Sequence, residues 1–162
     1  MIRSIESHDL SAVVDIYNHY IRNSIITFEE EAITVHEMEK RIHRVTGDLQ
    51  MPFIVYVENE TVIGYAYIDQ WRTRNAYRFS AESSIYLHHE HFGKGIGTKL
   101  YKALIRLARE QGVKRLIGGA SLPNPASVQL HENLGFRKVA HFEKVGFKFD
   151  QWIDVGFWQL DL

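Results

Sequence analysis

The residues that could do chemistry gather in one stretch, positions 82–110, read as ESSIYLHHEHFGKGIGTKLYKALIRLARE. It holds a carboxylate, Glu82, a phenol, Tyr86, and alternate glycines at Gly93, Gly95 and Gly97. In a strand, Glu82, Ser84 and Tyr86 share one face, and Ser83, Ile85 and Leu87 the other. The glycines follow that strand and open a strongly helical run. Strand, glycine loop and helix together present backbone N–H groups and a positive helix end to a phosphate.

Three phosphate sites compete for such a loop. A P-loop needs G-x-x-x-x-G-K-[ST], but Gly97 is followed by Thr98-Lys99, the wrong order. A dinucleotide fingerprint needs G-x-G-x-x-G after the first strand; here the spacing is G-x-G-x-G and the strand comes late. A cradle for the pyrophosphate of coenzyme A asks only for the N–H groups from Gly93 to Thr98 and the helix dipole. On that reading the pantetheine arm runs back along the strand and the thioester ends near Glu82. A plain chain-reversing turn is the other reading of the glycines, and a surface carboxylate the other reading of Glu82.

The elements that must position these groups follow from periodicity. Ile2 to Ile5 reads as a short strand. Ser7 or Asp9 can cap a helix that carries Leu10, Val13, Val14, Tyr17 and Ile21 to about Tyr20. Asn23 to Phe28 reads as irregular. Thr34 caps a second helix with Met38, Ile42 and Val45 on one face, ended by Gly47-Asp48. Phe53–Val57 and Thr61–Asp69 form a hairpin about Glu58-Asn59-Glu60. Gln70 to Ala76 is a polar loop, and Tyr77 to Leu87 the next strand. The helix after the glycines puts Ile96, Leu100, Ala103, Leu104 and Leu107 inward. Val113 to Ala120 is a strand. Pro123-Asn124-Pro125 opens a last helix that Gly135 ends, and Phe136 to Leu162 forms a long hairpin turning near Asp150. The fold class is α/β: a mixed, mostly antiparallel sheet with helices on both faces. Two strand–helix–strand units, about the helices at 96–111 and 125–134, are expected as right-handed crossovers.

Composition bounds the function. The chain has 162 residues, 45% of them apolar, with a net charge of −1. One domain over 1–162 is expected. Nothing in the charge argues for nucleic acid. No cysteine is present, which excludes a thiol nucleophile and cysteine-ligated zinc. No apolar run approaches the ~20 residues of a membrane span, and the chain is expected to be cytoplasmic. His88, His89 and His91 invite a metal reading, but neighbours in a loop rarely converge on one ion, and no metal is expected.

With these residues in view, the chain resembles the GCN5-related N-acetyltransferase (GNAT) superfamily, and within it the phosphinothricin and methionine sulfoximine acetyltransferases. The resemblance rests on Ile16-Tyr17-Asn18-His19-Tyr20, Arg74-Asn75-Ala76-Tyr77, Ala81-Glu82-Ser83-Ser84-Ile85-Tyr86, Leu122-Pro123-Asn124, Ser127, His131-Glu132-Asn133-Leu134-Gly135-Phe136 and the tail Trp152 to Leu160. It implies that Gly93, Lys94, Gly95, Ile96, Gly97 and Thr98 hold the pyrophosphate of acetyl-CoA. It implies backbone contacts from Leu87 and His88 to the pantetheine, and coenzyme contacts from Asn124 and Ser127. Glu82 matches the general base and His131 a catalytic histidine; Arg72, Arg74, Tyr77 and Tyr86 fall to the substrate, in the chain's own site or across a dimer interface. The first loop position, Gln or Arg in many members, is Phe92 here, which removes a side-chain donor to the phosphates.

The resemblance thus implies acetyl transfer from acetyl-CoA to the α-amine of a small amino-acid-like substrate by a homodimer. An amine is mostly protonated at pH 7, and a carboxylate of ordinary pKa ~4.3 is a weak base for it. Glu82 must therefore have a raised pKa or act through a water. Arg72 and Arg74 suit a carboxylate or phosphinate, or else simply form a solvated loop. The tail aromatics suit core and dimer contacts. The alternatives are acetylation of peptide or protein N-termini, and a non-catalytic acyl-CoA-binding module that would not need Glu82.

Overall fold

The computed structural model describes residues 1–162. In chain order the strands are β1 (Ile2–Ser4), β2 (Phe53–Glu58), β3 (Thr61–Gln70), β4 (Ser80–Leu87), β5 (Arg115–Leu122), β6 (Arg137–Lys148) and β7 (Gln151–Asp161). The helices are α1 (Leu10–Asn23), α2 (Val35–His43), α3 (Ile96–Glu110) and α4 (Pro125–Asn133). One seven-stranded sheet runs in the order β1-β2-β3-β4-β5-β7-β6. Only β4 and β5 pair in parallel; every other neighbouring pair is antiparallel. The mixed α/β architecture is the one the sequence predicts.

Local signals explain the helix ends that matter. Thr34 accepts the Glu37 N–H while the Glu37 carboxylate accepts the Thr34 N–H, a reciprocal cap. Asn124 Oδ1 accepts the Ser127 N–H, and Pro125 fills the first helical position, where its missing N–H costs nothing. Helix α3 starts from Gly95 in the left-handed conformation, φ 73°, which a side chain would strain.

Both faces of the sheet are covered. One core cluster holds Leu100, Tyr101 and Leu104 of α3 against Ala81, Leu116 and Trp158. A second holds Val13, Tyr17 and Ile21 of α1 and Met38 of α2 against Val55 and Tyr65. Both faces of β4 therefore lie against a core. Tyr86, on the Glu82 face, packs against Tyr17, Tyr20 and Tyr65. Strand β4 also begins at Ser80, not Tyr77, because Asn75–Tyr77 closes a 3-10 turn. The inward stripe of α3 keeps the expected Ile96, Leu100 and Leu104 but is rotated in part: Tyr101, Ile105 and Ala108 are buried, and Ala103 and Leu107 are only half-buried. That rotation carries the Tyr101 hydroxyl to the underside of β4.

The feature that makes a site is the parting of the parallel pair. Strands β4 and β5 are paired only from Ser80–Arg115 to Ser83–Gly118. Beyond that, β4 continues to Leu87 and β5 to Leu122 without pairing each other. A cleft opens between them, and the α3 N-terminus and α4 stand beside it. The second expected crossover is modified by the tail. β7 lies between β5 and β6, so the strand after α4 sits one place away, at the edge.

Candidate active site

The ladder decides which backbone groups face the cleft. His88 N–H donates to Ile63 O at 2.9 Å, which makes Gly64–Leu87 a non-hydrogen-bonded pair. The backbone groups of Ile85 and Leu87 therefore point away from β3, toward the cleft. Tyr20 confirms the direction by donating its hydroxyl to Leu87 O at 2.5 Å. His88 departs from its expected role for the same reason. Its N–H is committed to Ile63 and its carbonyl accepts the His91 N–H, so Ile85 replaces it as the second backbone group of β4 at the cleft.

A groove of about 390 Å³ runs from the glycine loop along β4 to α4. Phe92, Gly93, Gly95, Gly97 and Thr98 line one end, and Asn124 and Ser127 the other. The first helical bond of α3 runs from Lys99 N–H to Gly95 O, so the N–H groups of Ile96, Gly97 and Thr98 have no carbonyl within the helix. A Cβ on Gly93 or Gly95 would meet nothing within 4 Å, so the loop backbone lies open to a ligand. The Ile96 side chain is buried in the core and only its N–H is available. Lys94 is exposed and outside the groove lining.

The groove leads into a chamber of about 280 Å³, with which it shares Ile26, Ile85, Asn124 and Ser127. Glu82 and Tyr86 of β4, Gly119 and Ser121 of β5, and Phe157 of β7 line it with Thr27 and Phe28. The Glu82 pKa is raised, first by burial and then by Asp69, its cross-strand partner; Arg72 pulls the other way. Asp69 itself is held by the Arg44 guanidinium in a two-pronged ion pair. Tyr86 forms the chamber floor with its phenol pKa well above 10, pushed up by burial.

His131 is 3% exposed, and both ring nitrogens are engaged. Nδ1 faces Ser127 O at 2.7 Å; a carbonyl can only accept, so Nδ1 carries the proton. Nε2 lies 3.0 Å from the Tyr101 hydroxyl and accepts from it. Tyr101 in turn lies 2.6 Å from Ser83 Oγ, whose single proton is shared between Tyr101 and the Ile117 carbonyl at 3.1 Å. Burial lowers the His131 pKa, and the Ser127 bond offsets this in part. The close approach of this ring explains a glycine: a Cβ on Gly118 would sit 2.1 Å from His131 Nε2.

The expected substrate residues are less gathered. Arg72, Arg74 and Tyr77 are exposed and lie outside the chamber lining. The Arg72 guanidinium sits 4.8 Å from the Trp71 ring, and Trp71 packs edge-on against Phe157 of the chamber wall. Arg72 is thus at the rim. No group of His, Asp and Glu side chains is arranged to hold a metal ion. His89 instead stacks on His19 at 3.9 Å.

Sequence reasoning missed three features. Tyr101 and Ser83 form the chain that holds His131. The segment Ile26–Phe28, read as merely irregular, walls the chamber. Lys148, 1% exposed, anchors that segment by donating to Ser24 O and Thr27 O, each at 2.8 Å. An aromatic hairpin with an interspersed lysine gives no signal that the lysine is buried. The Tyr101 position at least falls on the helical stripe i, i+4 from Gly97.

Comparison with known proteins shows the family. Residues 2–156 match the acetyltransferase (GNAT) domain family. The phosphinothricin N-acetyltransferase of Streptomyces viridochromogenes is 38% identical over 99% of this chain and 86% of its own length. The L-methionine sulfoximine/L-methionine sulfone acetyltransferase of Salmonella typhimurium is 35% identical over 99% of this chain and 94% of its own. The crystal structure of a phosphinothricin acetyltransferase from Sinorhizobium meliloti in complex with acetyl-CoA superposes with a TM-score of 0.96 at 36% identity, covering 100% of this chain and 88% of that one. An open N–H cradle, a cleft between parting parallel strands and a half-buried carboxylate at its end thus stand on a family fold throughout, and the chain belongs to the GNAT acetyltransferases, as an N-acetyltransferase that uses acetyl-CoA.

Proposed function

We propose that this enzyme transfers acetyl directly to the α-amine of a small amino-acid-like acceptor of the methionine sulfoximine, methionine sulfone or phosphinothricin type. The observation that carries the reading is the continuity of two spaces. The groove that ends on the α3 N-terminus opens into a chamber whose carboxylate, Glu82, has a raised pKa. The names of the similar enzymes support the acceptor class.

On this reading the N–H groups from Gly93 to Thr98 hold the pyrophosphate, with Lys94 as an outer charge. Ile85 and Leu87 offer backbone groups to the pantetheine, and Asn124 and Ser127 touch it from α4. Bound acetyl-CoA would supply the activated acetyl carbonyl, and as the amine nitrogen bonds to that carbon the thioester C–S bond breaks and coenzyme A leaves with its electron pair. Glu82 takes the proton that the acceptor amine must lose, directly or through a water, and its raised pKa brings it nearer the task. Holding the amine in line can supply several kcal/mol more. Direct transfer is supported by the absence of cysteine and by the engagement of both His131 nitrogens, with Ser127 O and Tyr101, which leaves no histidine base for a chamber serine. His131, tied at both nitrogens, is a positioning residue for the chamber wall. Arg72 at the rim pairs with the acceptor's carboxylate, with Arg74 and Tyr77 outside it on the same loop. The exposed aromatics Phe142, Phe147, Phe149 and Trp152 of the final hairpin seat a second copy, giving a homodimer.

A thiol-release assay over free amino-acid analogues and short peptides tests this. Release with methionine sulfone, methionine sulfoximine or phosphinothricin and not with peptides is the expected result. Turnover of peptides alone would transfer the assignment to peptide N-termini.

A further inference from the structure

The chamber contains a polar side chain that the protein itself leaves without a partner. Ser121 is 6% exposed, and its hydroxyl is sealed from bulk solvent with no hydrogen-bond partner. A buried hydroxyl left unpaired is costly and calls for an explanation. Its two neighbours in the chain are apolar, Ala120 and Leu122, and its cross-strand partner is Val155, so nothing of the fold is served by a hydroxyl there.

Alternation along β5 places it. A Cβ on Gly118 would meet His131, whereas one on Gly119 would lie 3.6 Å from Glu82 Oε1. Ser121, two residues on from Gly119, shares the Glu82 face, and it lines the same chamber with Thr27, Phe28 and Phe157. It therefore stands with the carboxylate, not with Asn124, Ser127 and His131 on the other face. Two residues along a strand are about 7 Å. An amine and a sulfur or phosphorus head four bonds away are separated by about 5 Å at ordinary bond lengths. With one hydrogen bond of about 2.9 Å at each end the contour reaches about 11 Å, so such an acceptor bridges a gap of about 7 Å between Glu82 and Ser121 bent, not extended.

We propose that Ser121 is a specificity-determining residue: turned about χ1 toward the chamber, its hydroxyl donates to the oxygen on the sulfur or phosphorus head of the acceptor while Glu82 faces the amine. Ser121 thereby selects amino acids whose side chains end in an acceptor oxygen over plain aliphatic ones. The inference rests on the amino-acid reading of the chamber.

Ser121→Ala tests it, with methionine sulfone compared with methionine, which has the same skeleton and no oxygens. Methionine is followed by turnover or as a competitive inhibitor. The expected result is a loss of about tenfold in kcat/KM for the sulfone, the effect of one neutral hydrogen bond. The methionine value and the KM for acetyl-CoA should change less than twofold. Equal losses for both compounds, or a raised KM for acetyl-CoA alone, would overturn the assignment. So would an unchanged sulfone value in a variant of unaltered melting temperature. If wild-type enzyme turns over no free amino acid, the amino-acid reading itself fails and Ser121 falls with it; if wild type is active and the variant matches it, only the Ser121 assignment fails.

Discussion

Glu82 and His131 lie on opposite faces of the sheet. Ser83, the next residue after Glu82, points the other way and reaches His131 through the Tyr101 hydroxyl, at 2.6 and 3.0 Å. Gly118 and Gly119 repeat the division on β5, one beneath the histidine and the other beside the carboxylate. Both side chains nonetheless line one chamber, because β4 and β5 part just beyond this point. The two are therefore separate in role. Glu82 meets the chamber as a lone carboxylate, whereas His131 is the end of a satisfied chain.

Glu82→Gln should lower kcat by about 10²–10⁴, the usual worth of a general base, with acetyl-CoA affinity by calorimetry unchanged. With Glu82 as the proposed base, the amine and Glu82 must both be deprotonated in wild type. A plot of log kcat/KM against pH should thus rise with slope 2 below the raised Glu82 pKa and slope 1 above it. The variant should show slope 1 throughout. Stability gives the opposite sign. A folded pKa raised above the ordinary 4.5 means that stability is lost as pH climbs from 4.5 through the raised value. Glu82→Gln should therefore melt higher than wild type at pH 7, with the difference gone below pH 4.5. A variant that kept its turnover would remove Glu82 from the reaction.

His131→Asn separates positioning from proton transfer. If His131 only holds the wall through Tyr101, kcat falls while the pH profile keeps its shape. Loss of one limb of the profile would show that the histidine moves a proton. The folded pKa is lowered below 6.5 by burial, so the neutral form is favoured, and wild-type stability is lost as pH falls from 6.5 through the lowered value. Thermal melts between pH 7.5 and 5 should show that loss in wild type and less of it in the variant.

These relationships were unevenly legible in the sequence. The strand, glycine loop and helix, the Thr34 cap, the helix opened at Pro123-Asn124-Pro125 and the hairpins rest on local chemistry, and they stand where the pattern puts them. The start of β4 was misplaced because Tyr77 and Phe79 look β-prone while Asn75–Tyr77 turns in a 3-10 bend. The insertion of β7 between β5 and β6 is a long-range pairing that periodicity does not encode. The same holds for the chain from Ser83 to His131, whose members are 18 and 30 residues apart. Lys148 is the extreme case, its two carbonyl partners lying 124 and 121 residues away.

Lys148→Met should loosen chiefly the acceptor side, since Thr27 and Phe28 line the chamber and not the groove. The variant keeps an apolar stem but leaves the carbonyls of Ser24 and Thr27 without their donor, a cost of about 1–3 kcal/mol. Ile26 to Phe28 then lose the anchor that holds them over the chamber. The KM for the amine should rise several-fold and the melting temperature should fall. Phe28 also packs on Gly146, where a Cβ would come within 2.3 Å of its ring, so Gly146→Ala should reproduce the amine effect. Steady-state kinetics on both variants checks this, and unchanged amine KM values would detach the segment from acceptor binding.

Phe92→Arg tests the coenzyme end. Phe92 is 55% exposed at the mouth of the groove, beside Gly93, and offers the phosphates no donor. The wild-type loop must rely on the N–H groups of α3's first turn and on the helix dipole. A guanidinium at this position adds a charge-assisted bond at an exposed site. The dissociation constant for acetyl-CoA should fall about fivefold at low salt, and the gain should shrink as ionic strength rises. Gly95→Ala provides the opposite sign: no atom obstructs the added methyl, but a φ of 73° costs a side chain about 1–2 kcal/mol. That strain either lowers stability or shifts the loop and weakens acetyl-CoA. Calorimetry on both variants decides the matter, and a Phe92→Arg affinity equal to wild type at every salt concentration would place the pyrophosphate away from this loop.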